Sequence, residues 1–338
     1  MKGTVLHGPR DVRFEAVEVP SILKPTDAII RVAATCVCGS DLWPYRGHWP
    51  TPEPVRMGHE YCGTVVEVGD AVTKVKPGQF VIGSFFSSDM TCPICLSGYP
   101  SSCVDREQVG AAQAGMMRVP LADGTLVATP GTPPAAMIPD LLTLSDVMGT
   151  GWFAAEAAEV APGKTVVVVG DGAVGLLAVL SAKLKDAGRI IVMSRHEPRQ
   201  NLARAFGATD VVEERGDAAV ARVKEMTGGL GADSVLECVG TQEAMMQAIR
   251  SCRRGGHVSF VGVPHEVKID GQELFFSHVH LHGGPAPVRR YLPELIDRVW
   301  NGEIHPGKVF DLELPIEDVA EGYRAMDERR AIKVLLRP

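Results

Sequence analysis

The stretch TVVVVGDGAVG, residues 165–175, decides the fold of the second half of this chain. Four consecutive valines predict a strand buried on both faces, as in a parallel sheet covered by helices. Glycines follow with the spacing G-x-G-x-x-G, and the apolar residues after them predict a helix. This order is typical of a dinucleotide-binding unit, because the helix N-terminus offers unpaired N–H groups to a pyrophosphate. An ordinary buried β-turn-α unit is the alternative interpretation.

Composition and charge indicate a soluble globular protein. The chain of 338 residues has 45% hydrophobic and 22% charged residues, enough for a large core and the length of about two domains. Its net charge of -7 argues against nucleic acid or an anionic membrane as a partner. The first residues show no apolar signal core, so we expect a cytoplasmic protein. Its eight cysteines are then reduced, as metal ligands or core residues.

Two patterns of secondary structure divide the chain. Up to about residue 140, short strands alternate with turns, which favours an irregular β-barrel or sandwich. From about residue 146, strands alternate with helices, as in a doubly wound parallel sheet. The predicted strands lie at 28–34, 63–68, 79–83, 165–169, 189–193, 210–212, 234–238, 257–261, 278–281 and 333–336. Helices are predicted around 289–300 and 316–326, and we expect this tail to return to the first domain.

Three separate segments carry residue types that bind metals: CVCGSD at 36–41, GHE at 58–60 and LSDVMGTG at 144–151. Followed by the glycine turn, they resemble the zinc-dependent medium-chain dehydrogenases, the alcohol dehydrogenase family, over essentially the whole chain. The resemblance implies an α/β protein with a GroES-like β-rich catalytic domain at 1–145, completed by 285–338. It also implies a Rossmann nucleotide-binding domain at 146–284.

The resemblance implies a catalytic zinc ion held by Cys38, His59 and Asp146, with Glu60 as a transient ligand. A thiolate and a carboxylate together neutralise Zn²⁺ and leave an open position for a substrate oxygen. Taken singly, Cys38 is equally compatible with a core position and His59 with a turn. Asp146 alone is compatible with a helix cap. The ordered set favours the metal.

Further roles next to the metal follow from the same resemblance. The Ser40 hydroxyl is expected to pass the proton of the alcohol outward, and Asp41 to accept the second N–H of the His59 ring. Trp43 stands where many relatives have the outer histidine of this relay. With Trp49 and Trp152 it is expected to form an aromatic wall of the substrate pocket, and plain core packing is the alternative.

A second group of metal-binding residue types lies at 89–103. Many relatives carry four cysteines spaced C-x-x-C-x-x-C-x₇-C around a structural zinc, but here the first position is an aspartate. A carboxylate carries the same single negative charge as a thiolate and fits a closed tetrahedral site. The resemblance therefore implies a second zinc held by Asp89, Cys92, Cys95 and Cys103. The alternative is a lobe that has lost its metal and keeps reduced cysteines.

The end of the strand at 189–193 indicates which nicotinamide binds. NAD-preferring folds place an acid there for the ribose 2′-OH, whereas this chain has Ser194 and Arg195. A hydroxyl and a guanidinium suit a 2′-phosphate, so we expect NADP(H), with Arg199 in support. The alternative is that Arg195 is a solvated surface charge. The other predicted cofactor contacts are Gly170, Gly172, Ala173, Val174, Gly175, Thr150, Cys238, Val239, Gly262, Val263 and Lys333.

The resemblance implies hydride transfer between NADP(H) and a small-molecule alcohol, aldehyde or ketone, with an apolar or aromatic substrate favoured by the tryptophans. A polyol, sugar or formaldehyde-type dehydrogenase with the same metal set is the alternative among enzymes. A non-catalytic nucleotide-binding protein is the alternative of another class. The family also implies a homodimer or homotetramer.

Overall fold

The computed structural model describes residues 1–49 and 54–338. They divide into two units, one formed by Met1–Gly149 with Pro287–Pro338 and the other by Thr150–Ala286. The sequence analysis set these boundaries after residues 145 and 284, a few positions earlier in both cases. None of the described helices has the length and apolar character needed to cross a membrane.

The strands of the described residues are β1 (Lys2–Gly8), β2 (Asp11–Ala16), β3 (Ala28–Cys36), β4 (Val55–Arg56), β5 (Tyr61–Val68), β6 (Phe80–Gly83), β7 (Met116–Val119), β8 (Leu126–Ala128), β9 (Thr165–Val169), β10 (Arg189–Met193), β11 (Asp210–Val212), β12 (Ala232–Glu237), β13 (Cys252–Phe260), β14 (His280–Gly283), β15 (Leu312–Pro315) and β16 (Val334–Arg337). The helices are α1 (Leu42–Tyr45), α2 (Pro93–Leu96), α3 (Ala122–Thr125), α4 (Ile138–Thr143), α5 (Val147–Ala157), α6 (Ala173–Leu184), α7 (Glu197–Phe206), α8 (Gly216–Met226), α9 (Gln242–Ser251), α10 (Gly271–Ser277), α11 (Val288–Trp300) and α12 (Val319–Asp327).

The first unit is built on a sheet with the order β15-β16-β3-β5-β6-β8, in which β7 also pairs with β3. The predicted strand at 28–34 is longer in the structure because Thr35 and Cys36 pair with Leu336 and Leu335 of β16. Through this pairing the C-terminal tail forms part of the sheet of the first unit. A smaller sheet with the order β2-β1-β4 lies in the same unit.

The second unit contains a parallel sheet with the order β11-β10-β9-β12-β13-β14. Counted from β9 along the chain, this is the order 3-2-1-4-5-6 of a dinucleotide-binding fold. The predicted strands at 165–169, 189–193 and 210–212 are confirmed. All four valines, Val166, Val167, Val168 and Val169, are buried, as a strand covered by helices on both faces requires. The strand order changes direction between the parallel neighbours β9 and β12, which places the glycine turn at the position where such folds bind ligands.

Candidate metal centres and cofactor turn

The first unit brings together the four residues predicted around the catalytic zinc. One donor atom each from Cys38, His59, Glu60 and Asp146 lies within 4.8 Å of the others. Asp146 Oδ2 lies 3.8 Å from Cys38 Sγ and 3.3 Å from His59 Nε2. Cys38 follows β3, His59 and Glu60 precede β5, and Asp146 precedes α5, so strand pairing rather than local sequence assembles the group.

Asp41 orients two members of this cluster. Its Oδ2 accepts a hydrogen bond from the backbone N–H of Cys38 at 3.0 Å, and its Oδ1 lies 3.4 Å from His59 Nδ1. The ring of His59 is thereby held with Nε2 toward Asp146. This is the geometry expected of a carboxylate that fixes the tautomer of a metal-binding histidine.

Gln113 and Ser145, which the sequence analysis did not single out, hold the backbone around the metal cluster in place. Gln113 packs closely against Gly58, which precedes His59: Gly58 has a φ of +94°, and a Cβ there would lie 2.6 Å from the backbone nitrogen of Gln113. The Gln113 side chain donates to the Cys36 carbonyl at 3.1 Å and accepts from the Tyr323 hydroxyl at 3.2 Å. Gln113 therefore links the segments that carry Cys38 and His59. Because its partners are distant in sequence, no local motif identifies it.

Ser145 fixes the segment that carries Asp146. Its hydroxyl accepts a hydrogen bond from the Tyr61 N–H at 3.0 Å and donates to the Gly83 carbonyl at 2.6 Å. The neighbouring residue is therefore tied to β5 and β6, and the Asp146 carboxylate faces His59.

The electrostatics of the cluster favour a cation. Burial lowers the pKa of His59, but the charges of Asp41 and Cys38 outweigh it and raise that pKa well above its ordinary value. Burial, followed by the charge of Glu60, raises the pKa of the Cys38 thiol. The Glu60 carboxylate is fully buried, and within the described residues its Oε2 has no hydrogen-bond partner. Thiol, imidazole and carboxylate oxygens are the ligands that zinc takes, so these residues fit a bound zinc ion.

Lys333 lies beside this cluster rather than at the surface. Its Nζ donates to Glu60 Oε1 at 2.7 Å and to the Val37 carbonyl at 3.3 Å, and both members of the pair are buried. Burial opposes the charge of Lys333, but Cys36 and Glu60 raise its pKa well above the ordinary value, so the ammonium is protonated. The sequence analysis predicted Lys333 as a cofactor contact; the contact that the structure describes is with Glu60.

We expect the substitution Lys333→Met to lower the free energy of unfolding by about 3–5 kcal/mol, because it leaves the Glu60 carboxylate buried without its cation. The double variant Glu60→Gln/Lys333→Met should recover most of this loss, since the uncompensated charge is then removed as well. Urea denaturation with zinc present measures both. Lys308→Met, at an exposed lysine of the same unit, is the control and should unfold as the wild type does. An equal loss in the double and single variants would contradict the pairing.

The predicted second metal site also comes together in the first unit. One donor atom each from Asp89, Cys92, Cys95 and Cys103 lies within 4.8 Å of the others, and Cys92 Sγ is 3.9 Å from Cys103 Sγ. Asp89 Oδ1 accepts hydrogen bonds from the N–H groups of Thr91 and Cys92 at 2.8 and 3.0 Å. The backbone N–H groups of Val104 and Cys95 lower the pKa of Cys92. Three thiols and a carboxylate within this distance fit a closed tetrahedral zinc site.

The glycine turn of the second unit fits a dinucleotide. Gly170 has a φ of +114°, and a Cβ on Gly175 would lie 2.1 Å from the Gly170 carbonyl oxygen, so only glycine allows this packing. Gly172 caps the N-terminus of α6, and a Cβ there would have no atom of the described residues 1–49 and 54–338 within 4 Å. The space in front of the unpaired N–H groups of α6 is therefore open to a pyrophosphate. Ala173 and Val174 form the first turn of this helix.

The other predicted cofactor positions of the second unit lie mostly in its turns. Gly240 and Gly262 follow β12 and β13 and touch, since a Cβ on Gly262 would lie 2.2 Å from the Gly240 nitrogen. Cys238 is half-buried, and Val239 and Val263 are exposed. Thr150 is buried in α5. At the end of β10, the hydroxyl of Ser194 donates to Asp171 at 2.7 Å, Arg199 lies 3.4 Å from Asp171, and Arg195 is exposed.

The three tryptophans predicted to line the substrate pocket differ in their surroundings. Trp43 is half-buried at the start of α1, with its ring 5.6 Å from the His48 ring, and Trp49 has 58% of its surface exposed. Trp152 is buried in the second unit, where the Lys185 ammonium lies 4.4 Å from its ring. Lys185 caps the C-terminal end of α6, about 18 Å along this 12-residue helix from the glycine turn. The contact with Lys185 agrees with the core-packing alternative, and the place of Trp152 in the substrate pocket stays a prediction.

We expect alanine at Gly175 to lower stability and alanine at Gly172 to lower nucleotide binding instead. Gly175→Ala should lower the free energy of unfolding by about 2 kcal/mol or more, because its methyl overlaps the Gly170 carbonyl. Gly172→Ala should change that energy by at most about 1 kcal/mol but weaken nicotinamide binding, because its methyl enters the open space before α6. Denaturation and fluorescence titration with NADPH measure the two effects. Unimpaired NADPH binding by Gly172→Ala would show that the pyrophosphate binds elsewhere.

Comparison with known proteins places these sites in a family. Residues 24–131 match the alcohol dehydrogenase GroES-like domain and residues 173–301 match the zinc-binding dehydrogenase domain. A protein of Mycobacterium tuberculosis, named a probable zinc-binding alcohol dehydrogenase, is 34% identical over 100% of this chain and 89% of its own. The chain therefore belongs to the zinc-dependent medium-chain dehydrogenase family, with the GroES-like and Rossmann-type domains that the sequence analysis predicted.

Solved structures agree with this membership. An alcohol dehydrogenase from a Thermus species superposes with a TM-score of 0.91 at 29% identity, covering 100% of this chain and 99% of the other. A protein from Sinorhizobium meliloti, named a zinc-binding dehydrogenase and bound to NADP, has a TM-score of 0.84 at 26% identity and covers 100% and 99%. This chain is accordingly an oxidoreductase of the zinc-type alcohol dehydrogenase class, and its substrates are small molecules.

Proposed function

We propose that this protein is a zinc-dependent oxidoreductase that interconverts an alcohol and the corresponding aldehyde or ketone with NADP(H). The observation that carries the proposal is the cluster of Cys38, His59, Glu60 and Asp146, whose donor atoms lie within 4.8 Å of one another. A chain that had kept only the fold and nucleotide binding would not need to retain this buried, electronegative group.

The residues around the cluster supply positioning and charge balance. When bound, zinc polarises the oxygen of an alcohol or carbonyl group, and the nicotinamide accepts or supplies the hydride. Asp41 keeps the imidazole of His59 in one orientation, and Lys333 compensates the carboxylate of Glu60. Ser40 is half-buried between Cys38 and α1, where its hydroxyl can take the proton of an alcohol and pass it outward.

The preference for NADP(H) is supported by the residues at the end of β10. No acid follows this strand directly, and the exposed guanidinium of Arg195 is available to pair with a phosphate. The NADP-bound Sinorhizobium meliloti protein shows that a structural relative takes this cofactor. For the substrate, the half-buried Trp43 next to Ser40 favours an apolar or aromatic alcohol, aldehyde or ketone.

We further propose a structural zinc at Asp89, Cys92, Cys95 and Cys103, which gives two zinc ions per chain. The chain is expected to act as a homodimer or homotetramer in the cytoplasm. Light scattering of the purified protein measures the assembly.

The test of the proposed reaction combines a substrate screen with removal of a ligand. The zinc-loaded protein should oxidise or reduce members of a panel of primary alcohols, secondary alcohols, polyols, aldehydes and ketones, with a higher kcat/KM for NADP(H) than for NAD(H). Cys38→Ser should lower kcat/KM by about 100-fold or more, because a metal contributes several kcal/mol to such a reaction. Cys62→Ser, at a buried thiol outside both metal clusters, is the matched control. Turnover of none of these compounds by the zinc-loaded wild type would overturn the proposal.

The test of the structural zinc is elemental analysis of Asp89→Ala. We expect this variant to hold about one zinc per chain fewer than the wild type, because three thiols alone leave the tetrahedral site open. Asp105→Ala removes an exposed acid from the same segment and should keep the wild-type content. Equal zinc contents in the two variants would remove Asp89 from the ligand set.

A further inference from the structure

A carboxylate from the glycine turn lies among the residues predicted to bind the 2′-phosphate. Asp171 follows the first glycine of the turn, and its Oδ2 accepts a hydrogen bond from the Ser194 hydroxyl at 2.7 Å. Its Oδ1 lies 3.4 Å from Nη1 of Arg199, and the same Nη1 donates to the Asp171 carbonyl oxygen at 3.3 Å. Ser194 and Arg199, two of the three predicted determinants of NADP(H) binding, are thus a hydrogen-bond partner and an ion-pair partner of the Asp171 carboxylate.

The burial of this group strengthens its effect. The side chains of Asp171 and Arg199 are 13% and 14% exposed, and Ser194 is fully buried. Charges that are largely removed from water interact more strongly than surface charges. Of the two arginines after β10 that are predicted determinants, Arg199 in α7 is already paired with Asp171, whereas Arg195 is exposed.

We propose that Asp171 is a specificity-determining residue that limits the preference of this protein for NADP(H) over NAD(H). Ser194 has one proton, and it gives this proton to Asp171, so that proton is not offered to a 2′-phosphate. The Asp171 carboxylate adds like-charge repulsion and neutralises Arg199. A ribose 2′-OH carries no charge and can donate a hydrogen bond to this carboxylate, so it does not suffer the repulsion. The proposal rests on the proposed function, since it concerns the nicotinamide site.

The test measures binding of two nucleotides that carry the distinguishing group without the nicotinamide. Calorimetric titration with adenosine 2′,5′-bisphosphate and with 5′-AMP compares the wild type with Asp171→Asn. Asparagine keeps the shape and an acceptor for Ser194 but loses the charge. We expect the Kd for the bisphosphate to fall by about tenfold or more, because like charges at close range oppose binding strongly. The Kd for 5′-AMP should change by less than about threefold, within what a neutral contact contributes.

Two further variants secure the interpretation. Asp186→Asn removes an exposed acid that lies just past the C-terminal end of α6 and should leave both Kd values unchanged. In Asp171→Asn/Arg199→Met the gain for the bisphosphate should be smaller, because only the loss of like-charge repulsion remains when the Arg199 guanidinium is absent. Thermal unfolding checks that each variant is folded. If Asp171→Asn is not folded, Asp171→Ser is titrated with the same two nucleotides in its place.

The outcomes separate this inference from the proposed function. An unchanged ratio of the two Kd values in Asp171→Asn, or weaker binding of the bisphosphate, would overturn the inference and make Asp171 a residue that merely positions Ser194 and Arg199. Tighter binding of 5′-AMP than of the bisphosphate by the wild type would instead overturn the NADP(H) preference. The shift produced by Asp171→Asn would still decide the role of Asp171. The ratio of kcat/KM for NADPH and NADH should move in the same direction as the binding ratio.

Discussion

The first unit has to compensate several acidic side chains that lie close together in its interior. Cys38, Glu60 and Asp146 bring a thiol and two carboxylates within 4.8 Å of one another. Groups of this kind are not stable together in a protein interior unless cations compensate them. Lys333 compensates Glu60, and the charges of Asp41 and Cys38 raise the pKa of His59 against the effect of burial, so positive charge is favoured there as well. A divalent metal ion supplies such positive charge. The ion that the chemistry of the family uses is therefore also the ion that stabilises these buried groups.

The sheet of the first unit creates this concentration of charge through its register. Thr35 of β3 is paired with Tyr61 of β5, so the residues just beyond these positions, Cys38 and Glu60, come to the same end of the sheet. On the other edge of β3, Cys36 pairs with Leu335 of β16, which brings Lys333 to that end as well. A shift of either pairing by one residue would reverse the sides on which these side chains lie. The same hydrogen bonds that stabilise the sheet thus maintain the metal site.

The sequence predicts those features that depend on residue type and local spacing. The valines of β9 and the glycines after them were sufficient for the strand, the turn and the parallel sheet, and the ordered cysteine, histidine and aspartate were sufficient for the candidate ligands. Gln113, Ser145 and the partner of Lys333 were missed because their roles come from side-chain hydrogen bonds between segments that are distant in sequence. The longer extent of β3 has the same origin, since its last residues, Thr35 and Cys36, pair with β16 from the far end of the chain.

The cofactor end of the second unit shows why a single strand-end residue is an incomplete guide to specificity. The absence of an acid directly after β10 predicts NADP(H), but Asp171 brings a carboxylate to the same place from the preceding turn. The electrostatic potential at a 2′-phosphate is the sum over all charges around it, whichever segment of the chain supplies them. In the proposed site Arg195 and Arg199 raise that sum and Asp171 lowers it, so the proposed preference for NADP(H) is a small difference between opposed terms. One substitution that replaces a charged side chain by an uncharged one changes such a difference, whereas it leaves the fold of the sheet unchanged.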